Sequence, residues 1–154
     1  MAIQKSVQIK NRKARFEYEI LETFTAGIVL RGTEIKAIRE GKASIAESFC
    51  EFSNSELFAI NMTIQEYSHA SHFTHNPKTE RKLLLNRKEL KKLEKEVKNS
   101  GLTIVPLLLF TNEKGLAKLE IALCRGKKQF DKREVMKERD TKRDLSRIKK
   151  AFNN

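Results

Sequence analysis

The sequence predicts a mainly β fold: a small OB-like closed β-barrel with two or three inserted helices and a basic C-terminal tail that is disordered or helical on binding. Three observations lead there. Between residues 16 and 124 about six short segments alternate apolar and polar side chains or run apolar over strand-like lengths. Two stretches in the same region carry helical signals instead. That many short strands leave unpaired edges unless the sheet closes on itself, and a small barrel removes them.

The elements follow in order. Residues 1–15 show no clean period and read as a basic arm, ordered at most over Ile9 to Arg15. From Arg15 to Glu22, Phe16, Tyr18 and Ile20 alternate with Glu17, Glu19 and Leu21, the mark of a half-buried strand. A tight connection at Thr23–Thr25 leads to a second strand, Ala26 to Arg31. Gly32 breaks it, Thr33 caps a short helix over Glu34–Glu40 with Ile35 and Ile38 inward, and Gly41 ends it. Phe49–Phe52 and Leu57–Met62 form a hairpin across Asn54-Ser55. Glu66 to Lys78 is poorly periodic and reads as loop. Asn86 to Ser100 is the clearest helix. Asn86 is the N-cap and Glu89 completes a capping-box spacing; Leu90, Leu93 and Val97 make the apolar stripe, and Gly101 is the stop. Two strands, Leu102–Thr111 and Leu116–Cys124, flank a turn at Asn112–Gly115. Pro106 within the first predicts an edge strand or a bulge.

Charge divides the chain into a basic arm (1–15), a barrel (16–124) and a basic tail (125–154). The arm carries five basic and no acidic side chains, the tail twelve basic and five acidic, and the middle fifteen of each. The whole net charge of +12 therefore resides at the ends. A neutral body with two basic arms suits a module that grips a polyanion, here RNA. The longest apolar run, Val105 to Phe110, is far shorter than the roughly 18 residues a membrane span needs. No secretory signal or lipidation motif is visible, which with two isolated cysteines, Cys50 and Cys124, predicts a reduced cytoplasmic protein.

Enzyme signatures are absent: no phosphate-binding glycine loop, no dinucleotide fingerprint, no nucleophile motif. The one metal-like pattern is His69-x-x-His72-x-x-His75. It lies in a Ser- and Thr-rich stretch without a carboxylate or thiolate partner, so a polar loop is the better reading. No metal and no cofactor are expected. The tail opens Gly126-Lys127-Lys128-Gln129-Phe130-Asp131-Lys132-Arg133. An aromatic ring bracketed by cations can stack on an unpaired base while its neighbours hold phosphates. Phe130 tucked against the barrel from a solvated linker is the equal alternative. Beyond it, Leu145, Ile148 and Phe152 form a thin stripe on an otherwise charged segment. Such a helix orders only on binding.

Several motifs together resemble the small protein B family, the SsrA-binding or tmRNA-binding proteins of bacterial trans-translation. They are Asn11-Arg12-Lys13-Ala14-Arg15-Phe16-Glu17-Tyr18, Ala26-Gly27, Gly32-Thr33-Glu34-Ile35-Lys36, Arg39-x-Gly41-Lys42-Ala43, Arg81-Lys82-Leu83-Leu84-Leu85-Asn86 and the tail's Gly126-to-Arg133 run. They occur in order from about Asn11 to the C-terminus.

The resemblance implies an OB-like barrel that binds the tRNA-like domain of tmRNA and, with elongation factor Tu, delivers it to stalled ribosomes. A tail helix would report the empty messenger channel, with no enzymatic activity. It implies a cytoplasmic monomer whose partners are tmRNA, the ribosome (chiefly its small subunit) and, through the RNA, elongation factor Tu; no membrane is involved. By position, the tmRNA-facing residues would be Asn11, Lys13, Tyr18, Gly27, Lys36, Lys82, Leu84 and Asn86. The decoding-centre and mRNA-channel residues would be Gly126, Lys127, Lys128, Phe130, Asp131, Lys132 and Arg133, with Ile148 and Lys149 acting in accommodation. Three positions depart from the pattern: Thr25 stands where a Glu is expected, Thr79 where an Arg is usual, and Phe130 where some members carry His. Residue by residue, the plainer readings are that Asn86 caps its helix, Gly27 answers a backbone need and Lys36 decorates a wet face. Two other functions stay open on the residues alone: a generic RNA-binding OB module or RNA chaperone, and a hydrolase built on the histidines.

Overall fold

In this computed structural model, which describes residues 6–67 and 75–126, the chain opens with β1 (Gln8–Lys10) and α1 (Arg12–Glu17). It continues through β2 (Tyr18–Ile28), α2 (Gly32–Arg39), β3 (Ala43–Ser44), β4 (Phe49–Ser53) and β5 (Glu56–Ile60). β6 (Thr63–Ile64), β7 (Arg81–Leu84), α3 (Arg87–Ser100), β8 (Thr103–Thr111) and β9 (Ala117–Gly126) complete it. Antiparallel pairings run β8-β4-β5-β7-β2-β9, and β9 pairs back onto β8, so the sheet closes into a ring. β1 attaches to β8, and β3 with β6 makes a separate small ladder. The expected mainly β, closed architecture with a few helices is what forms.

The ring encloses one core and α1 covers a second. Phe24, Ala26 and Ile28 of β2, Leu57 and Ala59 of β5, Leu83, Ile104, Leu109, Leu119 and Ile121 point inward together. Outside, Ala14 of α1 packs on Val105, Leu107, Ala122 and Cys124, with Tyr18 and Ile20 alongside. β8 is thus buried on both faces, which is why Val105 to Phe110 reads as a continuous apolar run rather than an alternation.

Two bulges make this double burial possible. The β2–β9 register shifts between Ile20 and Glu22, and the β8–β9 register shifts between Pro106 and Leu108. A bulge re-aims the side chains that follow it. Ile20 opposite Cys124 therefore serves the outer cluster, while Phe24 opposite Ile121 serves the ring. Pro106 does sit at a bulge, but in a central strand, flanked by β9 on one side and by β1 and β4 on the other.

Other expectations change. The two strands expected around Thr23–Thr25 are one strand, Tyr18–Ile28, because Thr23 and Thr25 simply face outward across a ladder with β9. The strand expected from Arg15 begins only at Tyr18; Arg12–Glu17 is a helix whose N-cap, Asn11, accepts from the Ala14 N–H. Residues 8–15 of the basic arm are therefore joined to the body by a strand and a helix. α2 starts two residues earlier than expected: the Glu34 carboxylate accepts from the Arg31 N–H, and the Thr33 hydroxyl is engaged by His75 instead. β7 and the β3–β6 ladder carried no sequence signal. The hairpin at Asn54-Ser55 forms, both turn residues at positive φ, as does α3 with its Asn86–Glu89 box and left-handed Gly101.

Candidate nucleic-acid interface

A buried polar knot shapes the face where several expected site residues meet. Arg81, fully buried at the start of β7, donates from Nε to Glu34 of α2, from Nη1 to the Met62 carbonyl and from Nη2 to the carbonyls of Asn76 and Pro77. His75, also buried, donates from Nε2 to the Ile64 carbonyl; in the neutral ring its Nδ1 accepts from the Thr33 hydroxyl. Together they bind α2 to the segments on either side of the 62–77 connection. His75 is thus a satisfied core histidine; His69 and His72 lie outside the described residues. Among the described residues no group of three or more His, Cys, Asp or Glu could hold a metal ion.

With Arg81 inward, the alternation of β7 turns Lys82 and Leu84 outward. Leu84 is 52% exposed and lies opposite Gly27 of β2; a β-carbon at Gly27 would stand 3.3 Å from the Leu84 Cβ. The glycine therefore lets Leu84 lie flat across β2. Val29, 51% exposed, adjoins it, its N–H bonded to the Lys82 carbonyl. Two residues past Leu84, Asn86 uses its Oδ1 to cap α3, and its amide N–H groups have no partner among the described residues. Lys82 Nζ reaches Glu56 at 3.0 Å in an exposed pair, the kind that contributes at most about 1 kcal/mol and exchanges readily for a phosphate. Gly27, Val29, Lys82, Leu84 and Asn86 thus make one corner. It offers an apolar ledge, a cation and amide donors: the parts needed to seat a nucleoside and hold its backbone.

The remaining expected residues lie elsewhere. Lys36 projects from α2 with its ammonium 5.6 Å from the centre of the Tyr67 ring. Asn11 is buried, and its side chain is fully used inside: Nδ2 donates to the carbonyls of Ile45 and Pro106 while Oδ1 caps α1. Lys13 is exposed; its hydrogen bond to Glu47, then the charges of Glu47 and Glu17, raise its pKa above the usual lysine range. Tyr18 begins β2 opposite Gly126, and partial burial, then the Cys124 thiol, pushes its phenol up. Asn11, Lys13, Tyr18 and Gly126 therefore form a second cluster, at the other end of β2 from the Leu84 corner. Of the departures, Thr25 faces outward opposite Glu120 of β9, and Thr79 lines a cleft of about 360 Å³ beside Val29, Phe58 and Lys82. Lys127, Lys128, Phe130, Asp131, Lys132, Arg133, Ile148 and Lys149 lie outside the described residues.

A family model described as "SmpB protein" matches residues 8–151. The chain belongs to the SmpB protein family. Its SmpB-family relatives include an SsrA-binding protein of Flavobacterium johnsoniae, 70% identical over 97% of this chain and 99% of the relative, and one of Christiangramia forsetii, 67% identical over 97% and 96%. That of Bacteroides thetaiotaomicron is 56% identical over 94% and 97%. Among solved structures, a chain described under "tmRNA-SmpB: a journey to the center of the bacterial ribosome" shares the fold with a TM-score of 0.67 and 43% identity, over 84% of this chain and 94% of that one. The SmpB match spans both clusters and the basic tail, so the resemblance carried by the sequence motifs extends along nearly the whole chain.

Proposed function

We propose that this protein binds the tRNA-like domain of tmRNA and, with elongation factor Tu, delivers it to stalled ribosomes in the cytoplasm, acting as a monomer without an enzymatic step. Its relatives are SsrA-binding proteins, and its structural neighbour is described with tmRNA in the bacterial ribosome. The observation that carries the reading is the Leu84 corner, where two half-exposed apolar side chains, Leu84 on β7 and Val29 just past the end of β2, lie among Lys82, Asn86 and the bare backbone of Gly27. Lys36 would extend this contact. Asn11 would act on it indirectly, by setting the position of α1, Lys13 and Tyr18. The tail beginning at Gly126 would engage the decoding centre through Lys127, Lys128, Phe130, Asp131, Lys132 and Arg133, with Ile148 and Lys149 needed for accommodation. No helix among the described residues is long and apolar enough to cross a membrane.

The test is equilibrium binding of the full chain to the tRNA-like domain and to an unstructured RNA of equal length over a salt series. The reading requires a preference for the structured RNA that survives high salt. Lys82→Ala with Asn86→Ala should weaken structured-RNA binding, and truncation after Gly126 should spare binding but abolish peptide tagging. Equal binding to both RNAs, collapsing together with salt, would reduce the protein to a generic basic module.

A further inference from the structure

Immediately beyond the Leu84 corner lies a groove of about 920 Å³, between α3 and the β4–β5 turn at Ser55. Its floor holds Leu85 and Leu90, and its bank holds Arg87, Lys91 and Lys95. These three cations recur every fourth residue of one helix, so they stack along one face at steps of about 6 Å. Lys98 at the far end is already paired with Glu94, and Lys92 on another face is paired with Glu22. Arg87, Lys91 and Lys95 have no ion pair among the described residues. A row of unpaired cations beside an apolar floor complements a polyanion whose uncharged parts are flat and weakly polar. An acidic helix would leave the leucines to apolar residues but needs carboxylates at matching pitch; a sugar–phosphate strand supplies both features by its own repeat.

We propose that this groove carries the sugar–phosphate backbone of the RNA seated at the Leu84 corner, so that the RNA footprint continues from Asn86 along the first two turns and more of α3. Arg87, Lys91 and Lys95 hold successive phosphates, and Leu85 and Leu90 support the sugar or base between them. Continuity fixes the choice of partner: Asn86 caps the helix whose face lines the groove, and Leu85 lies between Leu84 and Asn86. The inference rests on the RNA-binding reading above, and its test separates the two.

The full-length protein and its Arg87→Ala/Lys91→Ala/Lys95→Ala variant are titrated with the tRNA-like domain of tmRNA from low to high salt, with circular dichroism melting as a check on folding. Each lost phosphate contact should lower the slope of log K against log salt by about 0.7 to 0.9, so the triple variant should lose about 2 to 3. Lys88→Ala, a charge removed from the same helix off the groove, should change the slope far less than Lys91→Ala. Arg87→Lys/Lys91→Arg/Lys95→Arg should restore the slope. If the unmodified protein shows no preference for the structured RNA, the RNA-binding reading fails. If it does, and the triple variant keeps the full slope or matches Lys88→Ala, the groove assignment alone fails. A folded triple variant that binds this RNA normally but no longer pellets with ribosomes also overturns it, because the groove then serves another partner.

Discussion

Arg81→Met tests whether the buried knot holds the Leu84 corner in place. The side chains of Arg81 and Glu34 are 1% and 4% exposed, so neither charge can turn to water when its partner goes. In the variant, Glu34 keeps only the Arg31 N–H and the Met62 carbonyl loses its guanidinium donor, while the carbonyls of Asn76 and Pro77 keep the Thr79 and Ile64 N–H groups. Breaking a buried pair by removing one partner costs about 3–5 kcal/mol. Measured against a total stability of about 5–15 kcal/mol, that is a large share and should lower Tm by roughly 10–20 °C for a body of this size. Urea unfolding followed by circular dichroism gives the free energy directly. The companion Glu34→Leu/Arg81→Met removes both charges and should be more stable than Arg81→Met alone, since no ion is left buried. An Arg81→Met cost under about 1 kcal/mol, or a double variant whose loss equals the sum of the singles, would refute the coupling.

Other variants probe the second cluster, the corner and the thiols. Asn11→Ala should cost about 1–3 kcal/mol in denaturant unfolding, from the lost cap and the amide donors withdrawn from the Pro106 and Ile45 carbonyls, the latter keeping the Ser48 N–H. Asn11→Asp keeps the cap but sets a carboxylate against those carbonyls, so it should be no better than Asn11→Ala at neutral pH and recover in acid. Gly27→Val should displace Leu84, since even a β-carbon already crowds it, and weaken structured-RNA binding more than it lowers Tm. Burial pushes the Cys50 thiol up strongly and the Cys124 thiol up to about 11, so folding holds both neutral where the unfolded chain ionises. Stability from this source is complete below the ordinary thiol range and falls as pH rises from about 9 toward 11. Unfolding midpoints in reductant over pH 8–11 should drop less steeply for Cys50→Ala/Cys124→Ala than for the unmodified chain.

What could be read from the sequence was local. α3 was legible because Asn86, Glu89 and Gly101 encode both ends and Leu90, Leu93 and Val97 encode the buried stripe. The β4–β5 hairpin was legible from Asn54-Ser55, the turn beyond β8 from Asn112 to Gly115. Features set by distant packing were not. Phe16, Tyr18 and Ile20 alternate as a strand does, yet Arg12–Glu17 coils because Ala14 must fit on the outer faces of β8 and β9 and Asn11 can cap it there. β7 has a buried arginine in a four-residue strand, which no periodicity reveals. The corner residues Lys82, Leu84, Asn86 and Gly27 came from motif resemblance. Val29 and the Arg87–Lys91–Lys95 row did not, although spacing four residues apart was in the sequence. Asn11, which motif resemblance places among the tmRNA-facing residues, has its side chain held in the fold by three hydrogen bonds, a placement set by Ile45 and Pro106 that no local pattern reveals.

The long β2–β9 ladder sets the two clusters at a fixed separation. It pairs Tyr18 with Gly126 at one end and Gly27 with Lys118 at the other. Nine residues of extended chain separate Tyr18 from Gly27, a span of about 30 Å. The chain therefore leaves the described body at Gly126, beside α1, as far along β2 as possible from the Leu84 corner. Both bulges lie along β2, β8 and β9, and each is closed by packing or hydrogen bonds, with Asn11 bonding the Pro106 and Leu107 carbonyls across the second. A ladder tied in this way transmits position rather than motion. If RNA occupies the corner, the root of the tail is held at a set distance from it, and the tail's reach is then governed by the length of chain after Gly126. Shortening that segment should therefore impair function abruptly, once the reach falls short, while leaving RNA affinity unchanged.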